Sequence, residues 1–155
     1  LIVREDLLET SERAIPTILN YKTHADAESM FHTPPVFSVY VANQTFNWLK
    51  SIGGVKAMQA TNERKAGKLY DAIDNSKLFK NPVALEDRSP MNVTFVMENS
   101  DLEPEFLAFA KSRGLETLKG HRSVGGFRAS IYNAMPEAGV DALIEAIQAF
   151  DSTKA

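Results

Sequence analysis

Gly120-His121-Arg122-Ser123-Val124-Gly125-Gly126-Phe127-Arg128-Ala129-Ser130-Ile131-Tyr132 runs from a glycine-rich basic loop straight into a strand. Side chains alternate across a strand, so Phe127, Ala129 and Ile131 share one face and Arg128, Ser130 and Tyr132 share the other. The first set suits a core, and the second must face solvent or a cleft. Upstream, Met91, Val93, Phe95 and Met97 alternate with Asn92 and Thr94, the pattern of a strand half-buried on a sheet. Pro104 and Gly114 bracket a helix over 103–112, and 115–118 reads as another short strand. After Tyr132, the stripe Val140, Leu143, Ile144 and Ile147 marks a helix over 136–150. From residue 76 the order strand, helix, strand, loop, strand, helix predicts a compact α/β sandwich whose sheet is at least partly antiparallel.

The segments before residue 76 read as the end of something else. Leu1-Ile2-Val3 suits a buried strand entered midway, with neither an initiator Met nor a basic-then-apolar signal. A helical turn follows over 4–8, then mostly loop to residue 35. Thr33-Pro34-Pro35 resembles a helix start, with Thr33 as cap and Pro at the first helical position, and predicts a helix over 34–51. Val36, Val39, Val41, Phe46, Trp48 and Leu49 predict that this helix is covered on most sides. Gly53-Gly54 ends it. Val55, Met58, Ala66, Leu69 and Ile73 continue at helical spacing, with Glu63, Arg64, Lys65 and Lys68 as the solvated face. A domain boundary is expected inside this second helix, dividing the chain into 1–58 and 59–155.

Composition narrows the function. Seventeen basic against twenty acidic residues leave a net charge of -3, which gives no general attraction to nucleic acid or anionic lipid. The chain has no cysteine, which excludes disulfides, thiolate metal sites and a cysteine nucleophile and fits a reducing, cytoplasmic setting. The strongest apolar run, 36–42, is far shorter than the roughly 20 residues that span a bilayer.

Two places carry candidate chemistry. In 119–128, three glycines allow close backbone approach to a ligand, while His121, Arg122 and Arg128 supply charge and directional donors. An arginine can grip a carboxylate or phosphate through two parallel hydrogen bonds. The competing reading is a hairpin whose arginines pair with surface acids. At the start of the first long helix, unpaired amides with His32 and Thr33 form a second possible anion site, against a simple capped helix. His24 and Asp26 are two potential metal ligands without a third, so no metal site is expected. Trp48, Phe106 and Phe109 read as core.

The string 120–134, GHRSVGGFRASIYNA, is similar to the signature of the phosphoserine aminotransferase family. Val3-Arg4-Glu5-Asp6-Leu7-Leu8, Thr33-Pro34-Pro35-Val36-Phe37-Ser38, Trp48-Leu49-Lys50 with Gly53-Gly54, and Arg88-Ser89-Pro90-Met91-Asn92-Val93 match in the same order. The resemblance implies fold-type I, with 1–58 ending a large cofactor domain and 59–155 forming the small C-terminal α/β domain. It implies pyridoxal 5'-phosphate, a homodimer with shared active sites, and ping-pong exchange of an amino group between glutamate and 3-phosphohydroxypyruvate. By position, it implies that Arg128 binds the substrate carboxylate and that His121 and Arg122 bind its phosphate. His32 and Thr33 would contact the cofactor phosphate of the neighbouring subunit, although members usually carry Asn where this chain has His32. The lysine that carries the cofactor lies, in the family, shortly before residue 1, so no catalytic residue is assigned here and the 155 residues alone are expected to be inactive. The alternatives are a serine–pyruvate or alanine–glyoxylate type transaminase, and a non-catalytic anion-binding or dimerisation module.

Overall fold

The structure, a computed structural model, describes residues 1–8 and 13–154. They fall into two units, Leu1–Trp48 and Leu49–Ala155. In the first, 3-10 turns at Glu5–Leu7 and Thr17–Leu19 precede helix α1, Tyr21–Asp26, and then α2, Val36–Ser51, which runs into the second unit. Leu1 and Ile2 are exposed and lie in no strand, because an extended segment becomes a strand only when a neighbour pairs with it. The loop expected over 9–35 holds α1, whose N-terminus is satisfied by Asn20 Oδ1 accepting from the Lys22 amide at 2.9 Å. Residues 9–12 of that loop lie outside the described set.

Helix α2 departs from expectation at both its start and its sides. It begins at Val36, with the Val39 amide donating to Pro35 O at 3.1 Å, so Thr33 is not its cap. Consecutive prolines hold the entry extended for two further residues. None of its residues is buried, and Phe37, Val39, Phe46 and even Trp48 remain exposed. A helix apolar on several sides is buried only where other elements cover those sides, and the described residues leave Phe37, Val39 and Phe46 exposed.

In the second unit, helices α3 (Gly54–Asp74), α4 (Glu103–Ser112) and α5 (Glu137–Lys154) accompany strands β1 (Phe79–Lys80), β2 (Asn92–Met97) and β3 (Phe127–Ser130). The strands form an antiparallel sheet in the order β1-β2-β3. Thr94 faces Arg128 and Phe95 faces Phe127 across the β2–β3 pair. Inward side chains carry the core, as the alternation predicts: Val93, Phe95, Met97, Phe127 and Ala129 are buried, joined by Leu69 and Ile73 of α3, Phe106 of α4 and Ile147 and Phe150 of α5. Phe79 lies 4.7 Å from Phe106 and Phe106 5.2 Å from Phe127, centroid to centroid, in edge-on contacts that aromatic rings favour. The strand expected over 115–118 is reduced to a single bridge between Lys119 and Phe127, because Thr117 adopts φ 60° and breaks the extended run. No helix among the described residues is long and apolar enough to cross a membrane.

Candidate anion-binding site

The loop before β3 is closed by its own backbone. The Gly120 amide donates to Gly126 O at 2.8 Å, and the Val124 and Gly125 amides both donate to His121 O, at 2.9 and 2.8 Å. Two glycines are required for different reasons. A Cβ on Gly120 would stand 2.1 Å from Gly125 O, and Gly126, at φ 60°, would place one 2.7 Å from Phe95 O. The loop is thereby pressed against its own end and against β2.

Arg128 leaves β3 on the exposed face, opposite Phe127, as predicted from the alternation. Among the described residues neither Arg128 nor Arg122 has an ion pair or side-chain hydrogen bond. Other arginines do: Arg88 holds Asp74 through two bonds of 2.5 and 2.9 Å, and Arg64 holds Glu137 at 3.0 Å. Among the described residues, then, no surface acid pairs with the loop arginines. His121 and Arg128 both line a cavity of about 320 Å3 with Thr94, Val96, Pro82 and Val83, and Arg122 lies outside its lining.

Asn92 and Lys65 support β3, and sequence reasoning assigned neither. Asn92 Oδ1 accepts from Ser130 Oγ at 3.2 Å and Tyr132 Oη at 3.3 Å, tying together the polar face that carries Arg128. Lys65 was expected on a solvated face but is fully buried. Its Nζ donates to the carbonyls of Ile131, Tyr132 and Met135 at 3.3, 2.9 and 3.0 Å, which fixes the exit of β3. Burial pushes its amine down, partly opposed by Glu137, with Arg64 adding to the fall. The signal that could have pointed to Lys65 was its place in the stripe with Met58, Ala66, Leu69 and Ile73, which its charge obscured.

His32 and Thr33 belong to the first unit and are exposed. The His32 ring stands edge-on to His24 at 5.6 Å, and the Thr33 hydroxyl has no hydrogen-bond partner among the described residues. Beyond them the Phe37 and Ser38 amides at the start of α2 have no hydrogen-bond partner among the described residues, as is usual for the first turn of a helix. His24 bonds Ile18 O at 2.7 Å and Asp26 pairs with Lys22 at 3.3 Å, and no group of three or more possible metal ligands occurs among the described residues.

The family profile described as Aminotransferase class-V matches residues 1–143. The chain belongs to the class-V aminotransferases. Among members of that family it is 51% identical over 154 residues to the phosphoserine aminotransferase of Porphyromonas gingivalis, covering 98% of this chain and 43% of that protein. It is 53% identical over 153 residues to the one of Bacteroides fragilis, again covering 43% of its length. The solved phosphoserine aminotransferase of Bacillus circulans subsp. alkalophilus superposes with a TM-score of 0.88 at 41% identity, over 99% of this chain and 43% of that one. A pyridoxal-phosphate-bound phosphoserine aminotransferase from Trichomonas vaginalis gives 0.82 at 42% identity, over 94% and 42%. This class-V chain thus spans less than half the length of the relatives it matches, and its α/β fold with a small antiparallel sheet is the one expected.

Proposed function

We propose that this chain is the substrate-gripping portion of a phosphoserine aminotransferase, a cytoplasmic, pyridoxal-phosphate-dependent homodimer that transfers an amino group from glutamate to 3-phosphohydroxypyruvate. In this reading residues 1–58 close the cofactor domain and 59–155 form the small domain. The observation that supports it is that two guanidinium groups, Arg122 and Arg128, stand without an acidic partner among the described residues, on and beside a closed glycine loop that also carries His121. Two cationic centres suit a substrate with a carboxylate at one end and a phosphate at the other.

Arg128 takes the α-carboxylate through two hydrogen bonds and so orients the Cα–H bond, while His121 and Arg122 take the phosphate and distinguish phosphoserine from serine. The donors at His32, Thr33 and the Phe37 and Ser38 amides fit the cofactor phosphate of the neighbouring subunit. The cofactor, when bound, supplies the electron sink that allows the Cα–H bond to be broken.

The test is glutamate-dependent transamination by the protein that carries this chain. Arg128→Ala should raise KM for the amino acid by about two orders of magnitude, the value of about 3 kcal/mol in charged hydrogen bonds. Arg128→Lys should not restore it, because an ammonium cannot reproduce the planar fork. Unchanged kinetics in both variants would refute the carboxylate role, and preference for serine over phosphoserine would favour a serine–pyruvate type enzyme.

A further inference from the structure

Ser123 touches the His121 ring twice. Its Oγ lies 2.7 Å from Nδ1 and its backbone amide donates to the same nitrogen at 3.3 Å. A backbone N–H can only donate, so Nδ1 is an acceptor, and the hydroxyl that shares it donates too. In the neutral ring the remaining proton therefore sits on Nε2. The residue is also fixed through its backbone, since His121 O receives the Val124 and Gly125 amides. Both ends of His121 are thus anchored, and one ring position is left to meet a ligand.

We propose that Ser123 is a positioning residue that fixes the His121 ring and its proton so that Nε2–H is presented to a phosphate monoester. This rests on the reading of His121 as a phosphate contact given under Proposed function. Without the hydroxyl, Nδ1 keeps only the longer 3.3 Å bond from the backbone amide, so the ring turns more readily about Cβ–Cγ and part of its proton moves to Nδ1.

The 155-residue chain, labelled with nitrogen-15, allows the imidazole to be read directly by long-range proton–nitrogen correlation. The wild-type neutral ring should show a bare Nδ1 and a protonated Nε2. Ser123→Ala should add an Nδ1–H population, and Ser123→Thr, which keeps the hydroxyl, should match the wild type. An identical ring pattern in wild type and S123A overturns the proposal, as does an Nδ1–H ring in the wild type.

Titration of the protein that carries this chain with O-phospho-L-serine and L-serine supplies the second arm. S123A should weaken phosphoserine about three- to tenfold, the effect of one lost hydrogen bond, and leave serine unchanged. Equal loss for both ligands would make Ser123 merely structural and overturn the proposal. His121→Ala with unaltered phosphoserine affinity, or no response of the His121 ring to phosphoserine, would overturn the phosphate reading and the proposal with it. The ring pattern, recorded without ligand, shows separately whether Ser123 itself fails.

Discussion

Lys65 is an ammonium placed where only its three carbonyl partners make it tolerable. Removing the side chain's charge by Lys65→Met would leave the carbonyls of Ile131, Tyr132 and Met135 without that donor, at a position where the Lys65 side chain is itself fully buried. An unsatisfied buried acceptor costs more than a satisfied one returns, so the loss should be about 3 kcal/mol by urea denaturation. An unchanged midpoint would mean that water replaces the ammonium. Nothing in the residues around position 65 announces this role, because the carbonyls come from 66 to 70 residues further along the chain. Arg128 is the opposite case: its exposure follows from the alternation of Phe127, Ala129 and Ile131, and among the described residues no acid pairs with it.

The loop of residues 120–126 separates two kinds of glycine. Gly125, at φ 80°, has open space where a Cβ would stand, so Gly125→Ala should cost only the left-handed backbone, about 1 kcal/mol. Gly126 has the same handedness and a Cβ position against Phe95 O and Val96, so Gly126→Ala should cost about 3 kcal/mol and displace the loop from β2. Equal losses in thermal denaturation would show that packing against β2 contributes nothing. The pairing of α3 with α5 depends on pH instead. Glu137 binds Arg64 and Lys68, whose side-chain hydrogen bonds, Arg64 first, hold its carboxyl below the ordinary carboxylate value, with their charges adding to the fall. The folded state thus favours the ionised form, adding stability above the unfolded value that is lost as pH falls through the depressed one. Glu137→Gln should therefore flatten the fall in Tm between about pH 6 and about pH 3, and an unaltered slope would take this pairing out of the acid transition. β2, β3 and α5 were legible because their apolar periods persist, and α4 because Pro104 and Gly114 bracket it. Phe79–Lys80 is too short to show a period, and the break at Thr117 is a backbone angle that a β-branched residue gives no reason to expect.

The two units are unequal in what they bury. Every buried hydrophobic residue among those described lies in Leu49–Ala155, and none lies within 1–48. Cooperative unfolding should accordingly report on the second unit. In the first, α2 carries Val36, Phe37, Val39, Tyr40, Val41 and Phe46 into solvent, an apolar surface of the kind that marks an interface. The relatives are more than twice as long, and the proposed enzyme is a dimer, so a second copy is the occupant to test first. The 155-residue chain alone should therefore self-associate at about 100 μM, with apparent mass rising with concentration in light scattering, because hydrophobic burial is non-directional and needs only a facing apolar surface. Trp48 is the only tryptophan, stands on the same helix and is 41% exposed, so its emission should shift to shorter wavelength as association proceeds. Replacing Phe37, Val39 and Phe46 together by Ser should restore a monomer and leave Tm within about 2 °C, since single exposed sites contribute little to stability. A wild-type chain that stays monomeric at that concentration would remove α2 as a self-association surface. A triple variant that loses Tm sharply would instead make these side chains part of a core.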